Sequence, residues 1–340
     1  MPKWGYKLMT EELGPSELVS HALEAERRGF DLLAASDHYS PWLEEQGHSP
    51  FVWSVLGAIA SLTRKAELMT AVTCPLFRYQ PAIVAQAAAT VSLLSDGRFT
   101  LGLGTGERLN EHVVGGPWPP VGVRQRMLEE ALEILSRLFE GGKDEQHYRG
   151  EFFELDGARL FDPPGSVPTI LAAGGPRAAE LAATRADGLI TTEADPRILE
   201  AYRAAGGEGP LYAEVSLCYA PDEAEAVETV HRYRRWSLLD WSVLTELPTV
   251  SAFAAASEQV RPEDVARKIP CGPDVDRHVE AVLPFLELGF DHIILAQVGP
   301  EQGAFLEFYE EEVAKALKSC ARELAGSSAE QPAKRELAPA

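Results

Sequence analysis

The chain has 340 residues, 45% of them hydrophobic and 24% charged, the balance of a folded chain long enough to bury a large core without disulfides or metal. Its 31 Lys and Arg face 52 Asp and Glu, a formal charge of −21, which argues against nucleic acid or an anionic membrane surface as partner but leaves room for a local phosphate pocket. No apolar run reaches the roughly 18 residues of a membrane span, residues 1–10 lack a leader pattern, and Cys74, Cys218, Cys271 and Cys320 form no CxxC pair. A cytoplasmic enzyme or binding protein, without a disulfide framework or a metal site, is expected.

Residues 4–9 read as a strand. Residues 16–28 read as a helix, with Leu18, Ala22 and Ala25 at helical spacing, Pro15 and Ser16 at its start and Gly29 at its end. Strands follow at 30–35, 66–73 and 98–103, separated by helices at 51–64 and 82–94, and a long amphipathic helix covers 124–139. In the second half, strands at 168–173, 188–192, 211–219 and 292–296 alternate with helices at 177–185, 196–205, 223–236 and 303–318. About eight βα units predict an α/β fold, a parallel (β/α)8 TIM barrel, as a single domain over residues 1–325. Two stretches interrupt the repeat: 141–164, polar and aromatic, reads as a hairpin-like excursion, and 237–273 as a run of short helices. Residues 326–340 are rich in Ala, Glu, Pro and Ser and are expected to be disordered.

Barrel chemistry sits at the C-terminal ends of the strands, which turns the strand list into a site list. Asp37-His38 follows the second strand. A histidine there can exchange a proton near neutral pH, and the adjacent carboxylate can orient it; equally, Asp37 can cap a helix beside a structural His38. Glu107 ends the turn Gly102-Leu103-Gly104-Thr105-Gly106, either as a proton-carrying carboxyl at a ligand edge or as the opening residue of a helix. That glycine spacing is not a dinucleotide fingerprint, so a nicotinamide-binding domain is disfavoured. Gly174-Gly175-Pro176 opens a helix after a strand, either as a phosphate site or as a tight turn. Trp42 can stack on a ring or pack under a loop.

These residues together resemble a known family. Ser36-Asp37-His38 with Pro41-Trp42, Phe77-Arg78-Tyr79-Gln80-Pro81, Asp96-Gly97-Arg98-Phe99, the run from Gly102 to Glu111, Ala172-Ala173-Gly174-Gly175-Pro176 and Ala186-Asp187-Gly188 are similar to the luciferase-like superfamily. The branch resembled is that of coenzyme F420-dependent glucose-6-phosphate dehydrogenase, over roughly residues 4–320. The resemblance implies a (β/α)8 barrel, usually a homodimer, that binds the deazaflavin F420 and transfers a hydride from an alcohol or sugar hydroxyl carbon. A flavin mononucleotide (FMN) monooxygenase of the same superfamily is the alternative.

The resemblance also implies roles. His38 takes the hydroxyl proton, Asp37 orients it and contacts cofactor or substrate, Glu107 protonates the ring, and Trp42 stacks beside the transferring carbon. Glu11 stands near the ring edge, and Ala71–Val72 matches a strand bulge with a cis peptide behind the ring. Cys74, Thr105, Gly106 and Asn110 line the ring and ribityl chain, and Gly174, Gly175, Pro176 and Arg177 form the phosphate loop. Sugar-phosphate dehydrogenases of this branch hold the 6-phosphate with lysines and an arginine. Here Asp195 and the alanine-rich stretch 251–257 stand at two of those places, and only Arg267-Lys268 resembles the third. An uncharged alcohol, sugar or lipid hydroxyl is therefore expected as substrate.

Overall fold

The computed structural model of the protein describes residues 1–330. Eight parallel strands close into a barrel: β1 (Lys3–Leu8), β2 (Leu32–Ala35), β3 (Glu67–Thr70), β4 (Phe99–Leu103), β7 (Thr169–Ala172), β8 (Gly188–Thr191), β9 (Leu211–Leu217) and β10 (His292–Gln297). β5 (Gln146–Arg149) and β6 (Glu154–Ala158) pair antiparallel outside it, so the excursion at 141–164 is a hairpin. Closure comes from β1, which pairs Trp4 with Ile293 on β10 and Gly5 with Leu32 on β2.

The strands are buried on both faces, as a barrel requires, and read as apolar runs. Inside, Leu32, Ala34, Met69, Ile170, Ile190, Tyr212 and Ile294 fill the lumen. Outside, a larger core packs the opposite strand faces, such as Leu33, Leu68, Leu101 and Leu295, against the helices. The Asp96-Gly97-Arg98 motif is structural. Asp96 and Gly97 take left-handed backbone angles, and the Arg98 guanidinium caps carbonyls of Ala60, Thr63 and Ala66 at the end of the helix Val52–Leu62.

Two differences from the sequence reading stand out. The helix Val275–Glu287 was not expected; Pro284 interrupts its pattern, but the helix carries the residue in its last turn. The final helix begins at Gln302, passes through a π-helical turn at Tyr309–Val313 and continues as Ala314–Glu330. Residues 326–330 of the expected tail are thus helical, and 331–340 lie outside the described residues. The stretch 237–273 forms short helices at Trp241–Leu244, Val250–Ala256 and Pro262–Lys268. Among the described residues no helix is long and apolar enough to cross a membrane.

Candidate active site

The loops that leave β1, β2, β3 and β4 bring most of the candidate residues to one rim. Asp37 and His38 are neighbours in sequence but serve different partners. The Asp37 carboxylate accepts from Thr73 Oγ1 at 2.7 Å, Arg78 Nη2 at 3.0 Å and Tyr79 OH at 3.2 Å. It is buried and fully engaged, so the orienting role expected of Asp37 is not what the geometry gives it. His38 instead turns to Glu11, with Nδ1 at 3.2 Å from Oε1, an ion-pair contact without hydrogen-bond alignment. Burial alone would push the Glu11 carboxyl up, but His38, Lys7 and Arg234 together hold it below the usual carboxylate range.

Trp42 lies beside His38, ring centroids 5.1 Å apart, and stacks face to face on Trp236 at 4.3 Å. Phe253 meets its edge. The indole is thus buried between the β2 loop and the mouth segment that follows the helix Glu223–Arg234. Gln46 fixes this loop. Its Oε1 accepts from the backbone N–H groups of Trp42 at 2.8 Å and Leu43 at 3.1 Å, and its Nε2 donates to Glu12 Oε1 at 3.2 Å.

After β4 the glycines answer first to packing. A Cβ on Gly102 would lie 1.9 Å from the Thr70 carbonyl oxygen, and Gly106, at φ 74°, would meet the Cys74 thiol at 2.7 Å. Cys74 is therefore buried under the turn, where burial pushes its thiol up. Glu107 opens the helix Arg108–Glu111 and is half-buried, and no hydrogen bond or ion pair among the described residues holds its carboxylate. Thr105 is also half-buried. Asn110 accepts from the N–H groups of Tyr39 at 2.9 Å and Ser40 at 3.1 Å through Oδ1, while its buried Nδ2 has no partner. Glu111, on the same helix, accepts from the Arg78 N–H at 3.0 Å. Burial, only partly offset by Arg78, pushes its carboxyl up to about 7.

Farther around the rim, Gly174 and Gly175 precede the helix Pro176–Arg185, whose N-cap offers no side chain. Space beside Gly175 is open, and Trp241 stands over Gly174, 3.3 Å from where a Cβ would be. Arg177 is exposed and reaches towards Gly122 at the start of the helix Val121–Glu140. Two helix N-termini and a guanidinium thus meet at one corner, a setting for a phosphate. Ala71 and Val72, joined by a cis peptide, and Ala172 are accessible, and Val72 and Ala172 both flank Gly104. An orphaned donor on Asn110, a free carboxyl on Glu107 and the cationic corner fit a flat cofactor carrying phosphate.

The expected cation replacements are engaged elsewhere. Asp195 caps the helix Pro196–Ala204 and pairs with Arg197 at 2.6 Å. Arg267 pairs with Asp264 at 2.6 Å, and Lys268 donates to the Ser237 carbonyl at 3.0 Å. Stretch 251–257 adds only Ser251 and Ser257 as polar side chains. No cluster of three or more His, Cys, Asp or Glu suited to a metal stands among the described residues. Sequence reasoning missed Glu12, Gln46, Arg78, Glu111, Arg234 and Trp236 as parts of this rim. Arg78 and Glu111 carried a signal, both as motif residues and Glu111 also as the residue four beyond Glu107.

A closed parallel barrel with titratable groups gathered at its C-terminal mouth is the architecture of a (β/α)8-barrel enzyme. The chain belongs to the luciferase-like family, whose model, described as luciferase-like monooxygenase, matches residues 4–292. An F420-dependent glucose-6-phosphate dehydrogenase of Amycolatopsis mediterranei (strain U-32) is 34% identical over 336 residues, covering 94% of this chain and 99% of the relative. One of the same name from Segniliparus rotundus is 35% identical over 335 residues, covering 93% and 98%. Among solved structures, an F420-dependent secondary alcohol dehydrogenase in complex with an F420-acetone adduct superposes with a TM-score of 0.85 at 28% identity, covering 93% of this chain and 99% of that one.

Proposed function

We propose that the protein is a coenzyme F420-dependent dehydrogenase that oxidises the hydroxyl-bearing carbon of an uncharged alcohol or sugar. The observation that carries this reading is the His38–Glu11 pair on the β1 and β2 loops, with the unpartnered Glu107 carboxyl on the β4 loop. Relatives named as F420-dependent glucose-6-phosphate dehydrogenases and the secondary alcohol dehydrogenase support a hydroxyl donor and F420. The alternative, FMN-dependent monooxygenation, has weaker support: the monooxygenase RslO1 of Streptomyces bottropensis and the diketocamphane monooxygenase of Pseudomonas putida, at 20% and 17% identity, share the fold alone.

When bound, the deazaflavin supplies a ring carbon that accepts a hydride and does not readily activate oxygen. Gly174, Gly175, Pro176 and Arg177 would hold its phosphate, and Thr105, Gly106, Asn110 and the Ala71–Val72 bulge its ring and ribityl chain. His38 takes the hydroxyl proton, and Glu11 stabilises the resulting imidazolium. Glu107 supplies a proton on the other side of the site. Acid and base steps of this kind are each worth about 10²–10⁴ in rate. Trp42 walls the site next to His38, and Asp37 acts through Arg78 and Thr73 as a brace.

The reading includes a cytoplasmic homodimer. Phe51, Leu62, Ile83, Leu93 and Leu94, on or next to the helices Val52–Leu62 and Pro81–Leu94, are apolar and exposed, which supports a self-complementary face. The four cysteines are free thiols, in keeping with a reducing compartment. Titration of the purified protein with F420 and with FMN, followed by an alcohol screen monitored at the deazaflavin absorbance, tests the proposal. Tight FMN binding with no F420 binding, or no alcohol-dependent loss of the deazaflavin band, would overturn it.

A further inference from the structure

Beneath His38 lies a set of buried charges that sorts into pairs. Lys7, on β1, is 2.5 Å from Glu214 on β9 and donates to the Ala71 carbonyl at 2.7 Å. Arg234, the last residue of the helix Glu223–Arg234, places Nε 3.6 Å from Glu12 Oε1 and donates from Nη2 to Met9 Sδ at 3.3 Å. Glu12 Oε2 also accepts from the Gly299 N–H at 2.7 Å, just beyond β10. Lys7 cancels Glu214 and Arg234 cancels Glu12. Glu11 feels both cations, and His38 is the group that faces it.

We infer that Arg234 is a positioning residue for His38: standing against Glu12, next door to Glu11, it sets how much of the two carboxylates' negative potential reaches the imidazole. Glu11 and Glu12 are adjacent and both nearly inaccessible, at 2% and 8% exposure. Two buried carboxylates side by side repel, and one counter-charge between them decides how much negative potential His38 feels. Arg234 acts on both carboxyls, and on Glu12 it works against the burial that pushes that group up. Its polar partners, Glu12 and Met9, lie on the β1 loop, and its guanidinium lies 5.4 Å from the Trp236 ring centroid, so it also ties the segment bearing Trp236 to the rim. Its own Nε has no aligned hydrogen bond, so its contact with Glu12 is a charge contact.

The surrounding groups are accounted for. Asp37 is held by Arg78, and Arg235 is paired with Glu45 at 2.8 Å. Tyr6 and Cys218, both near Glu12, are pushed up by burial and stay neutral. His48 is exposed and touches Glu11 only through its backbone N–H. None of these replaces Arg234 as counter-charge to Glu12.

The imidazole itself reads the inference out, without cofactor. The full chain, labelled with ¹³C-histidine, is titrated by NMR, and the His38 signal among eight histidines is assigned by its loss in His38→Gln. In Arg234→Met the His38 midpoint should rise by about half a pH unit or more, because a cation has left its anionic surroundings. In Glu12→Gln it should fall, because the cation is then unopposed. Arg234→Lys and the double variant Arg234→Met/Glu12→Gln should return it to within about 0.3 units of the parent. A role in packing alone moves the melting temperature and leaves these midpoints in place. An unchanged midpoint in Glu12→Gln and in folded Arg234→Met, or a shift that persists in the double variant, overturns the inference; if Arg234→Met does not fold, Glu12→Gln alone decides.

The kinetic arm rests on the proposed function. With F420 and an alcohol the parent oxidises, the acid limb of kcat/KM should move as the NMR midpoint does, with the F420 Kd within about twofold. If no alcohol is oxidised, the proposed function fails, while the NMR arm still judges Arg234.

Discussion

Oε1 of Glu11 stands 3.2 Å from Nδ1 of His38, so the loop leaving the first strand holds the imidazole carried by the second. The nearer carboxylate in sequence, Asp37, turns the other way to Thr73, Arg78 and Tyr79. Consecutive residues leaving a strand point to opposite sides, so adjacency in the chain separates these two groups in space. The partner of His38 is thus set by which strands are neighbours in the barrel.

His38→Ala should slow alcohol oxidation by about 10²-fold or more, while F420 still binds. Steady-state turnover and a fluorescence titration of the cofactor, measured on the same preparation, check this. Unchanged turnover would remove His38 from the chemistry.

Glu107→Gln should lower kcat more than it weakens cofactor binding. Among the described residues the carboxyl has no hydrogen-bond or ion-pair partner to lose, and an amide keeps its shape without a proton to give. Equal losses in kcat and in F420 affinity would instead make Glu107 a binding residue.

Glu111 makes stability depend on pH. Its carboxyl is pushed up to about 7 in the fold, above the ordinary value of 4.5. Between these values the folded state binds the proton that the unfolded chain has released. Its contribution is therefore fully present below about pH 4.5 and is lost as pH rises through about 7, by at most about 3 kcal/mol. Glu111→Gln keeps an acceptor for the Arg78 N–H, so its melting temperature should gain on the parent as pH rises across this window. Parallel melting curves for the two proteins from pH 5 to pH 8 would sink the assignment.

Glucose-6-phosphate should be a poor substrate. Asp195 is an anion paired with Arg197, and Arg267 is paired with Asp264, so neither place offers a free cation to a phosphate. Asp195→Lys should improve use of a sugar phosphate chiefly through KM, because contacts remote from the reacting carbon bind ground and transition states alike. Efficient, low-KM oxidation of glucose-6-phosphate by the parent would mean that cations other than these line the pocket.

The barrel was legible because each strand is a short apolar run followed by a helix with its own start and stop signals, as at Pro15–Arg27 between Gly14 and Gly29. The rim positions were legible too, since strand ends mark them. What local pattern does not carry is partnership across the barrel. Nothing near Arg234 in sequence says that its guanidinium lies at Glu12, nor that Trp236 covers Trp42. The helix Val275–Glu287 was obscured by Pro284, which removes one N–H from the helical ladder, a loss offset by the buried face of His278, Val282 and Phe285.

The stack of Trp42 on Trp236, 4.3 Å apart and 16° from parallel, makes the protein an optical gauge of its own mouth. Indoles this close share their electronic transitions, and among the described residues no other tryptophan pair does so. Their joint near-ultraviolet circular dichroism belongs to the docked arrangement of the mouth segment on the β2 loop. Any ligand that lifts that segment would erase the signal, while one that fits beneath it would leave the signal intact, so entry to the site can be followed without an added label.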